Sequence, residues 1–328
     1  TPEKLKAWQD IGVNRTSFGV QTFHPLYRKL FNLTSSVDQV RRATGWVNER
    51  FKFTNIDMIH SMAGQTLDDM LLDADTATSL DTTTVDYYTL NNASSQPALH
   101  RAFAEHHLQS LSANMRISYR MFLNEYLRAQ GYVPADGYAF TRNKAQPGSP
   151  RMVIQRDPIF LFQEISYGYA SDSVDAYGPG AMGFLGPFFT ESVTNREQYA
   201  ERLLSDKPKP WFSAYRNLDE ASKDVVCFPY RGFLEKERVD WSTIDAEILA
   251  RLNEAVSNGL AVEYSDRYEL TDAGWLFPAD FFYTLMPWRY QDMLSQHFGR
   301  QQAVSDRKPD DVLFFPRRRT VVPAVPAS

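Results

Sequence analysis

Apolar residues in the first third of the chain follow two alternating spacings. Leu5, Trp8 and Ile11 recur at helical intervals and Gly12 ends the pattern, so we predict a helix that Thr1 can cap. The next run is shorter, with apolar residues close together, which is typical of a strand. The same alternation predicts strands over residues 13–21, 53–59 and 84–90, and helix caps at Ser35 or Ser36 and at Thr66.

Helices that separate consecutive strands predict a parallel sheet. Each helix returns the chain to the same end of the sheet through a right-handed crossover. The expected fold is therefore α/β, either barrel-like or doubly wound. Three parallel strands cannot close a barrel and would leave an open sheet edge. We expect this region to be a partial (β/α) barrel within a larger sheet.

The remaining two thirds of the chain show a different pattern. Residues 97–131 are predicted to be helical, and residues 134–156 are rich in loop-forming residues. One long helix is predicted over residues 113–128, with an apolar stripe that includes Met121 and Phe122.

The final third predicts a winged-helix-like module. Its elements are a helix over residues 240–257, a hairpin that turns near Ser265 and Asp266, and a helix opened by Thr271. Such a module either packs as a lid or binds DNA, and the lack of a basic recognition stripe favours packing. We predict four divisions: residues 1–96, the partial barrel; 97–215, a helical and loop-rich extension; 216–300, the winged-helix-like module; and 301–328, a tail.

Composition restricts the available chemistry. The chain has 328 residues, a net charge of −5 and one cysteine, Cys227. A single cysteine excludes an intrachain disulfide and any cysteine-ligated iron–sulfur site built from this chain alone. The charge argues against a nucleic-acid partner, with the basic residues 317–319 expected to be a solvated tail. No apolar run reaches the roughly 18 residues of a membrane span and no secretory signal is visible, so we expect a cytoplasmic protein without a membrane partner.

Polar residues at the predicted strand ends are the candidates for a binding site. Gln21, Asp57 and Asn91 lie at or near the carboxyl ends of the three strands, where parallel α/β folds bind ligands. An amide and a carboxylate together suit a small polar metabolite. Taken singly, each residue is explained better by a cap, a backbone bond or a turn, and only their joint placement favours a site. His60, in the same region, is either a proton donor or a turn residue.

Two further patterns are weaker. His106 and His107 follow Glu105, but adjacent helical residues point to different faces, so a surface pair is expected rather than a metal site. Residues 160–177 are rich in aromatic side chains, which either form core or line a flat pocket. No metal ligands or catalytic residues are predicted.

Two segments resemble a known family. The sequence LKAWQDIGVNRTSFGVQTF, followed by FTNIDMIHSMAGQT, is similar to a region of the oxygen-independent coproporphyrinogen III oxidase-like radical S-adenosylmethionine (SAM) enzymes. The family pattern is approximately L-x-x-x-G-x-N-R-x-S-x-G-V-Q-x-F and then N-x-D-L-I-x-G-x-P-x-Q-T. The resemblance extends more weakly to residues 178–183 (GPGAMG) and 270–274 (LTDAG). It implies a partial barrel of the radical SAM type, carried on the carboxy-terminal portion of such an enzyme.

The resemblance also implies cofactors and site residues. In that family a 4Fe–4S cluster cleaves SAM to a 5′-deoxyadenosyl radical, and a second SAM is bound nearby. Gln21 and Asp57 would contact SAM, and Asn91 and Phe184 would form walls of the same site. The family's three clustered cysteines are not present, so this chain is either a portion of a longer enzyme or a homologue that has lost the cluster.

Departures from the family pattern bear on the reaction. Leu33 stands where an arginine able to pair with the SAM carboxylate is expected, and Ser61, Met62 and Ala63 replace a G-x-P turn. These changes favour a divergent member that acts on a tetrapyrrole or another large conjugated substrate, by radical chemistry or methyl transfer. The alternatives are a non-catalytic module or carrier that binds SAM or a tetrapyrrole, and a winged-helix regulator.

Overall fold

A computed structural model describes residues 1–90, 97–142, 169, 173–185, 188–205, 212–216 and 220–293. Three parallel strands form the centre of its amino-terminal part: β1 (Arg15–Gln21), β2 (Phe53–His60) and β3 (Thr84–Thr89). The helices around them are α1 (Pro2–Asp10), α2 (Pro25–Leu30), α3 (Val37–Arg50) and α4 (Leu67–Thr78). The predicted parallel α/β arrangement is confirmed, with each strand within two residues of its expected bounds.

Two of the predicted helix caps form complete capping boxes. The Ser36 hydroxyl accepts a hydrogen bond from the Gln39 amide, and the Gln39 side chain accepts one from the Ser36 amide. Thr66 and Asp69 make the same exchange at the start of α4. These bonds satisfy amides that the first helical turn leaves without partners. Thr1 occupies the cap position of α1, but its side chain makes no capping bond there.

A hairpin that the sequence pattern did not predict extends the sheet beyond β3. Two helices, α5 (Pro97–Glu105) and α6 (Ala113–Ala129), lead into β4 (Tyr132–Pro134) and β5 (Ala139–Arg142). Strand β5 pairs antiparallel with β3, and the strand order is β1-β2-β3-β5-β4. The hairpin therefore covers one edge of the parallel strands. Within the described residues the sheet stays open at β1 and closes no barrel.

One face of this sheet is apolar and packs against helices. Ile56, Met58 and Val85 are fully buried there, together with residues of α4 and α6. The helix predicted over residues 113–128 is confirmed as α6, and within its apolar stripe Met121 and Phe122 are 45% and 53% exposed. The buried apolar side chains of that helix are Tyr119, Leu123 and Leu127, which pack in the core beneath the sheet.

The carboxy-terminal part has its own core. Strands β9 (Phe233–Glu235), β10 (Ala261–Glu263) and β11 (Arg267–Leu270) form an antiparallel sheet in the order β10-β11-β9. The helices here are α8 (Glu220–Val226), α9 (Phe228–Arg231), α10 (Ala246–Ser257) and α11 (Pro278–Leu285). The predicted hairpin is confirmed, but α10 begins later than expected, because the segment from Asp240 folds as turns held by its side chain. Assignment of this module to the winged-helix class stays a prediction, as do the four divisions of the chain.

A third sheet joins these parts along the sequence. It consists of β6 (Met182–Leu185), β7 (Phe188–Ser192) and β8 (Phe212–Arg216), all antiparallel, with helix α7 (Arg196–Leu204) between the last two. Among the helices of the described ranges, none has the length and apolar character needed to cross a bilayer.

Candidate functional site

The second face of the parallel sheet is polar. Ser17, Asn55 and Thr84 lie opposite one another across the three strands, and two residues later Gly19, Asp57 and Asp86 do the same. Because side chains alternate along a strand, both rows face the same side. The sheet thus presents hydroxyl, amide and carboxyl groups opposite its apolar core.

A hydrogen-bond network fixes the side chains of this face. The Asp57 Oδ1 atom accepts from the Ser17 hydroxyl at 2.9 Å and from the Asn55 amide at 2.8 Å. The Asn55 Oδ1 atom in turn accepts from the Thr84 hydroxyl at 2.6 Å. The second carboxylate oxygen of Asp57, Oδ2, accepts no hydrogen bond from the described residues. One oxygen is therefore used to orient Asp57, and the other is available to a ligand.

Gln21 reaches the same face through an irregularity in β1. The register shifts between Gly19 and Gln21, and Gln21 adopts a left-handed φ of 67°. A Cβ atom built on Gly19, which would project from the polar face, would lie 2.4 Å from the Gln21 Nε2 atom. The Gln21 amide therefore folds back over Gly19, beside Asp57. Bulges of this kind commonly re-aim a side chain near a functional site.

The loop after β1 is held by buried polar groups that support this conformation. Asp73 of α4 accepts hydrogen bonds from the Thr22 hydroxyl at 2.5 Å and from the Phe23 amide at 2.8 Å. Arg28 donates to the carbonyl oxygen of Thr22 at 2.8 Å. Burial raises the pKa of Asp73, and these donors lower it in part. Neither Asp73 nor Arg28 was a predicted site residue; both act by positioning the chain beside Gln21.

Two further carboxyl groups of the polar side were missed by the sequence reasoning. Asp86 is 7% exposed, and burial raises its pKa to about 8, helped by the nearby charges of Asp136 and Asp57. Its Oδ1 atom has no hydrogen-bond partner among the described residues. Burial also raises the pKa of Asp136 to about 6, although the amides of Tyr138 and Ala139 donate to it. The sequence of strand β3, TVDYYT, contains a signal that could have identified Asp86. Its polar residues alternate with apolar ones in the same phase as the polar residues of β2.

His60 connects the ends of strands β2 and β3. It is the last residue of β2 and is fully buried. Its two ring nitrogens lie 3.0 Å from the hydroxyls of Ser61 and Thr89, so it ties the ends of β2 and β3 together. Burial, with the positive charge of Arg120, lowers the pKa of His60 to about 3. The ring is therefore neutral at neutral pH.

The turn at Ser61, where the resemblance predicts a glycine, has a left-handed backbone. Ser61, which stands in place of the family's glycine, has a φ of 61°. Met62 is fully buried, and the carbonyl oxygen of Ala63 accepts a hydrogen bond from the Tyr27 hydroxyl at 2.9 Å. A left-handed conformation costs a non-glycine residue of the order of 1 kcal/mol.

The remaining candidates do not join this site in the described structure. Asn91 lies outside the described residues. Phe184 is in β6 opposite Phe189, and its side chain also lies outside what is described. Most of the aromatic run over residues 160–177 is outside as well. No group of three or more potential metal ligands occurs in the described ranges, and burial raises the pKa of the Cys227 thiol.

Comparisons with known proteins give one informative result. No family model matches the sequence, and no curated protein matches it. Among solved structures, the chain is similar to coproporphyrinogen III oxidase (HemN) from Escherichia coli, described as a radical SAM enzyme. The TM-score is 0.65 at 16% sequence identity, over 88% of this chain and 67% of that one.

This likeness establishes the fold. The mixed α/β architecture, with its parallel strands and flanking helices, is similar to the fold of HemN. At 16% identity the comparison supports a conclusion about the fold, and it does not support one about the chemistry.

Proposed function

We propose that this chain is the carboxy-terminal portion of a divergent radical SAM enzyme, and that its polar sheet face binds SAM. The observation that carries the proposal is the placement of the Gln21 amide over Gly19, beside the Asp57 carboxylate. The HemN-like fold supports it, because parallel α/β folds bind ligands at this end of their strands. The assignment of Gln21 and Asp57 also agrees with the GVQ and NID segments of the resemblance.

The residues present fit the polar parts of SAM. The Gln21 side chain makes no hydrogen bond within the described residues, so it can donate to and accept from a ligand. The Asp57 Oδ2 atom can accept from ribose hydroxyls or from an amine. Buried Asp86 has an oxygen without a described partner, and its protonated form can donate. Asn91 and Phe184 remain proposed wall positions.

The residues do not fit a 4Fe–4S cluster. Such clusters are held by several cysteine thiolates, and this chain has only Cys227, which lies in the carboxy-terminal module. If the activity is radical-based, the cluster must be held by residues outside this sequence. This chain's own part would be to bind and orient SAM and the substrate.

For the substrate, we propose a tetrapyrrole or another large conjugated molecule. HemN is a coproporphyrinogen III oxidase, and this supports the class by analogy only. In this chain, the Tyr88 and Tyr138 rings lie 4.2 Å apart at the carboxyl end of β3, close to the polar face. Decarboxylation and methyl transfer are both compatible with these residues.

Binding of S-adenosylhomocysteine tests the cofactor proposal. Calorimetry should show binding to the wild type, and Asp57→Asn and Gln21→Leu should each weaken it by about tenfold through the loss of one or two ligand hydrogen bonds. Asp68→Asn, at an exposed carboxylate in the first turn of α4, is the matched control and should bind like the wild type. Absence of binding, or equal affinity in all four proteins, would contradict the proposal.

The single cysteine favours a second candidate, a non-catalytic SAM- or tetrapyrrole-binding module. The coding sequence distinguishes the two. Three closely spaced cysteines encoded ahead of Thr1 would support the enzyme, and the protein that contains them should cleave SAM after anaerobic reconstitution and reduction. If the complete protein lacks such cysteines, or holds a cluster without cleaving SAM, the carrier is favoured.

A further inference from the structure

Three acidic side chains approach one another at the polar face of the amino-terminal sheet. Asp57 on β2 and Asp86 on β3 are register partners, and neighbouring strands lie about 4.8 Å apart. On the other side of Asp86, its register partner in β5 is Ala139, whose amide donates to the Asp136 carboxylate at 2.7 Å. Asp86 therefore has an acidic neighbour on each side.

We propose that Asp57 and Asp86 hold one proton between them in the ligand-free protein, and exchange it for a cationic centre of the ligand. This inference rests on the proposed function, because the cation concerned is the sulfonium group of SAM. When SAM binds, the proton leaves the carboxyl pair for the solvent, and no covalent bond of the ligand changes. S-adenosylhomocysteine has a neutral thioether at the same position, so the pair keeps its proton. The site is therefore expected to prefer SAM.

Each acid of this pair has one oxygen that no described residue satisfies. The Oδ2 atom of Asp57 accepts no hydrogen bond there, and the Oδ1 atom of Asp86 is buried without a partner. Asp86 as a whole is only 7% exposed. Two ionised carboxylates at this spacing repel each other, and burial without a counter-charge adds to the cost. A proton removes this cost in the ligand-free protein, and a cation near both oxygens removes it in the complex.

The charges around Asp86 make its surroundings negative. Burial raises its pKa, and the charges of Asp136 and Asp57 raise it further. Arg15 lowers this pKa, with a smaller effect than either acid. Burial also raises the pKa of Asp136, and its two backbone donors, Arg120 of α6 and Arg15 lower it. At Asp86 the acids therefore outweigh the arginine, and a further positive charge is favoured there.

Asp86 titrates in a different pH range from its neighbours. With a pKa of about 8 it is largely protonated at neutral pH, whereas Asp136, whose pKa burial raises to about 6, is largely ionised. Burial and the charge of Asp86 raise the pKa of Tyr88, the next residue of β3 on this face, so its phenol stays neutral. A bound cation stabilises the carboxylate of Asp86 and lowers its pKa. A proton is therefore released on binding, and affinity for a cation rises as pH rises toward about 8.

Calorimetry with SAM and S-adenosylhomocysteine tests the exchange in the wild-type protein. Measurements at neutral pH in phosphate and in Tris buffer give the number of protons released, because the two buffers differ in ionisation enthalpy. SAM should release about one proton more than S-adenosylhomocysteine. The affinity for SAM should rise by about tenfold between about pH 6.5 and about pH 8.5, and should then exceed that for S-adenosylhomocysteine by about tenfold. Sinefungin, which has an ammonium group in place of the sulfonium, should behave like SAM.

Asp86→Asn removes the titrating group and keeps the shape of the side chain. The variant should bind SAM and S-adenosylhomocysteine with affinities within about threefold of each other, and the rise of SAM affinity with pH should be lost. Its affinity for S-adenosylhomocysteine should stay within about twofold of the wild type, which reports that the site is still folded. Asp38→Asn, at an exposed carboxylate of α3, is the matched control and should keep the preference for SAM.

The outcomes distinguish this inference from the proposed function. If neither SAM nor S-adenosylhomocysteine binds, both are overturned. If S-adenosylhomocysteine binds, but SAM binds no more tightly or without releasing the proton, this inference alone is overturned. These measurements use the wild type, so loss of folding in a variant cannot protect the inference. A preference for SAM that survives in Asp86→Asn would also overturn it, because another group would then recognise the cation.

Discussion

The missing side chain at Gly19 makes room for the Gln21 amide. The Gln21 amide occupies the position that a Cβ atom of residue 19 would meet at 2.4 Å. The left-handed backbone at Gln21 is unfavourable for a residue with a side chain, and the bonds from Thr22 to Asp73 and from Arg28 to Thr22 hold it. The absence of a side chain at position 19 therefore determines where the Gln21 amide lies. The hydrogen bonds at Thr22 stabilise the turn that carries it.

Gly19→Ala should separate binding from stability. The added methyl group would displace the end of the flexible Gln21 side chain, so we expect S-adenosylhomocysteine affinity to fall by about tenfold with a change in unfolding free energy below about 1 kcal/mol. Gly45→Ala, inside α3 with nothing within 4 Å, should stabilise the protein by about 0.5–1 kcal/mol and leave binding unchanged. Unchanged affinity in Gly19→Ala would show that the amide position does not matter.

At the scale of elements, the short connection between α9 and β9 sets the packing of the carboxy-terminal module. Gly232 ends α9 with a left-handed φ of 82° and leads directly into β9. A Cβ atom there would lie 2.1 Å from the ring of Trp275, which is buried in the module's core. The helix, the strand and the tryptophan can thus approach one another only because residue 232 has no side chain.

Two glycine substitutions test this packing. Gly232→Ala combines an unfavourable backbone with a clash against a rigid ring, and should destabilise the protein by more than about 2 kcal/mol. Gly259→Ala has a similar φ of 72° but nothing within 4 Å, so it should cost about 1 kcal/mol from the backbone alone. Urea unfolding followed by tryptophan fluorescence measures both. Equal losses would mean that Trp275 adapts to the methyl group.

At the scale of the whole molecule, buried ionisable groups collect where the amino-terminal sheet meets the carboxy-terminal module. Burial raises the pKa of Asp86 to about 8 and the pKa values of Asp136 and Asp280 to about 6. Burial lowers the pKa of His60 to about 3. The contribution of the three acids to the free energy of unfolding falls as pH rises. The contribution of the histidine falls as pH decreases. Stability is therefore expected to have a maximum on the acidic side of neutrality.

Asp86→Asn should change the alkaline side of this profile. The folded-state pKa of about 8 lies above the unfolded value near 4, so the wild type loses stability as pH rises between about 4 and 8. Asparagine resembles the protonated acid and does not titrate, so the variant's stability relative to the wild type should increase steadily over that range. Urea unfolding at several pH values measures the difference. Asp38→Asn, at an exposed carboxylate, should give a curve parallel to the wild type, and a parallel curve for Asp86→Asn would refute the assignment.

Much of the amino-terminal fold could be predicted because its signals are local. Ser36 and Thr66 sit at helix starts with their partner residues three positions later, and the strands alternate in a regular phase. Asp86 could have been predicted equally well, since it shares the phase of Asn55 and Asp57, but only residues at or near the strand ends were considered as site candidates. Strands β4 and β5 could not be predicted, because each has only three or four residues between loop-forming residues. Such a short segment is too short to show a periodic pattern.

The sequence by itself determined the parallel crossovers, the capped helices, the family likeness of the GVQ segment and the lack of cluster ligands, because each depends on neighbouring residues or on composition. Only the tertiary structure decided that the Gln21 amide folds over Gly19 and that Arg120 and Asp280 line one cavity. Those arrangements join residues from separate elements, and local pattern does not encode how distant elements pack. The shifted pKa values belong to the same class, because burial is a property of the packed molecule.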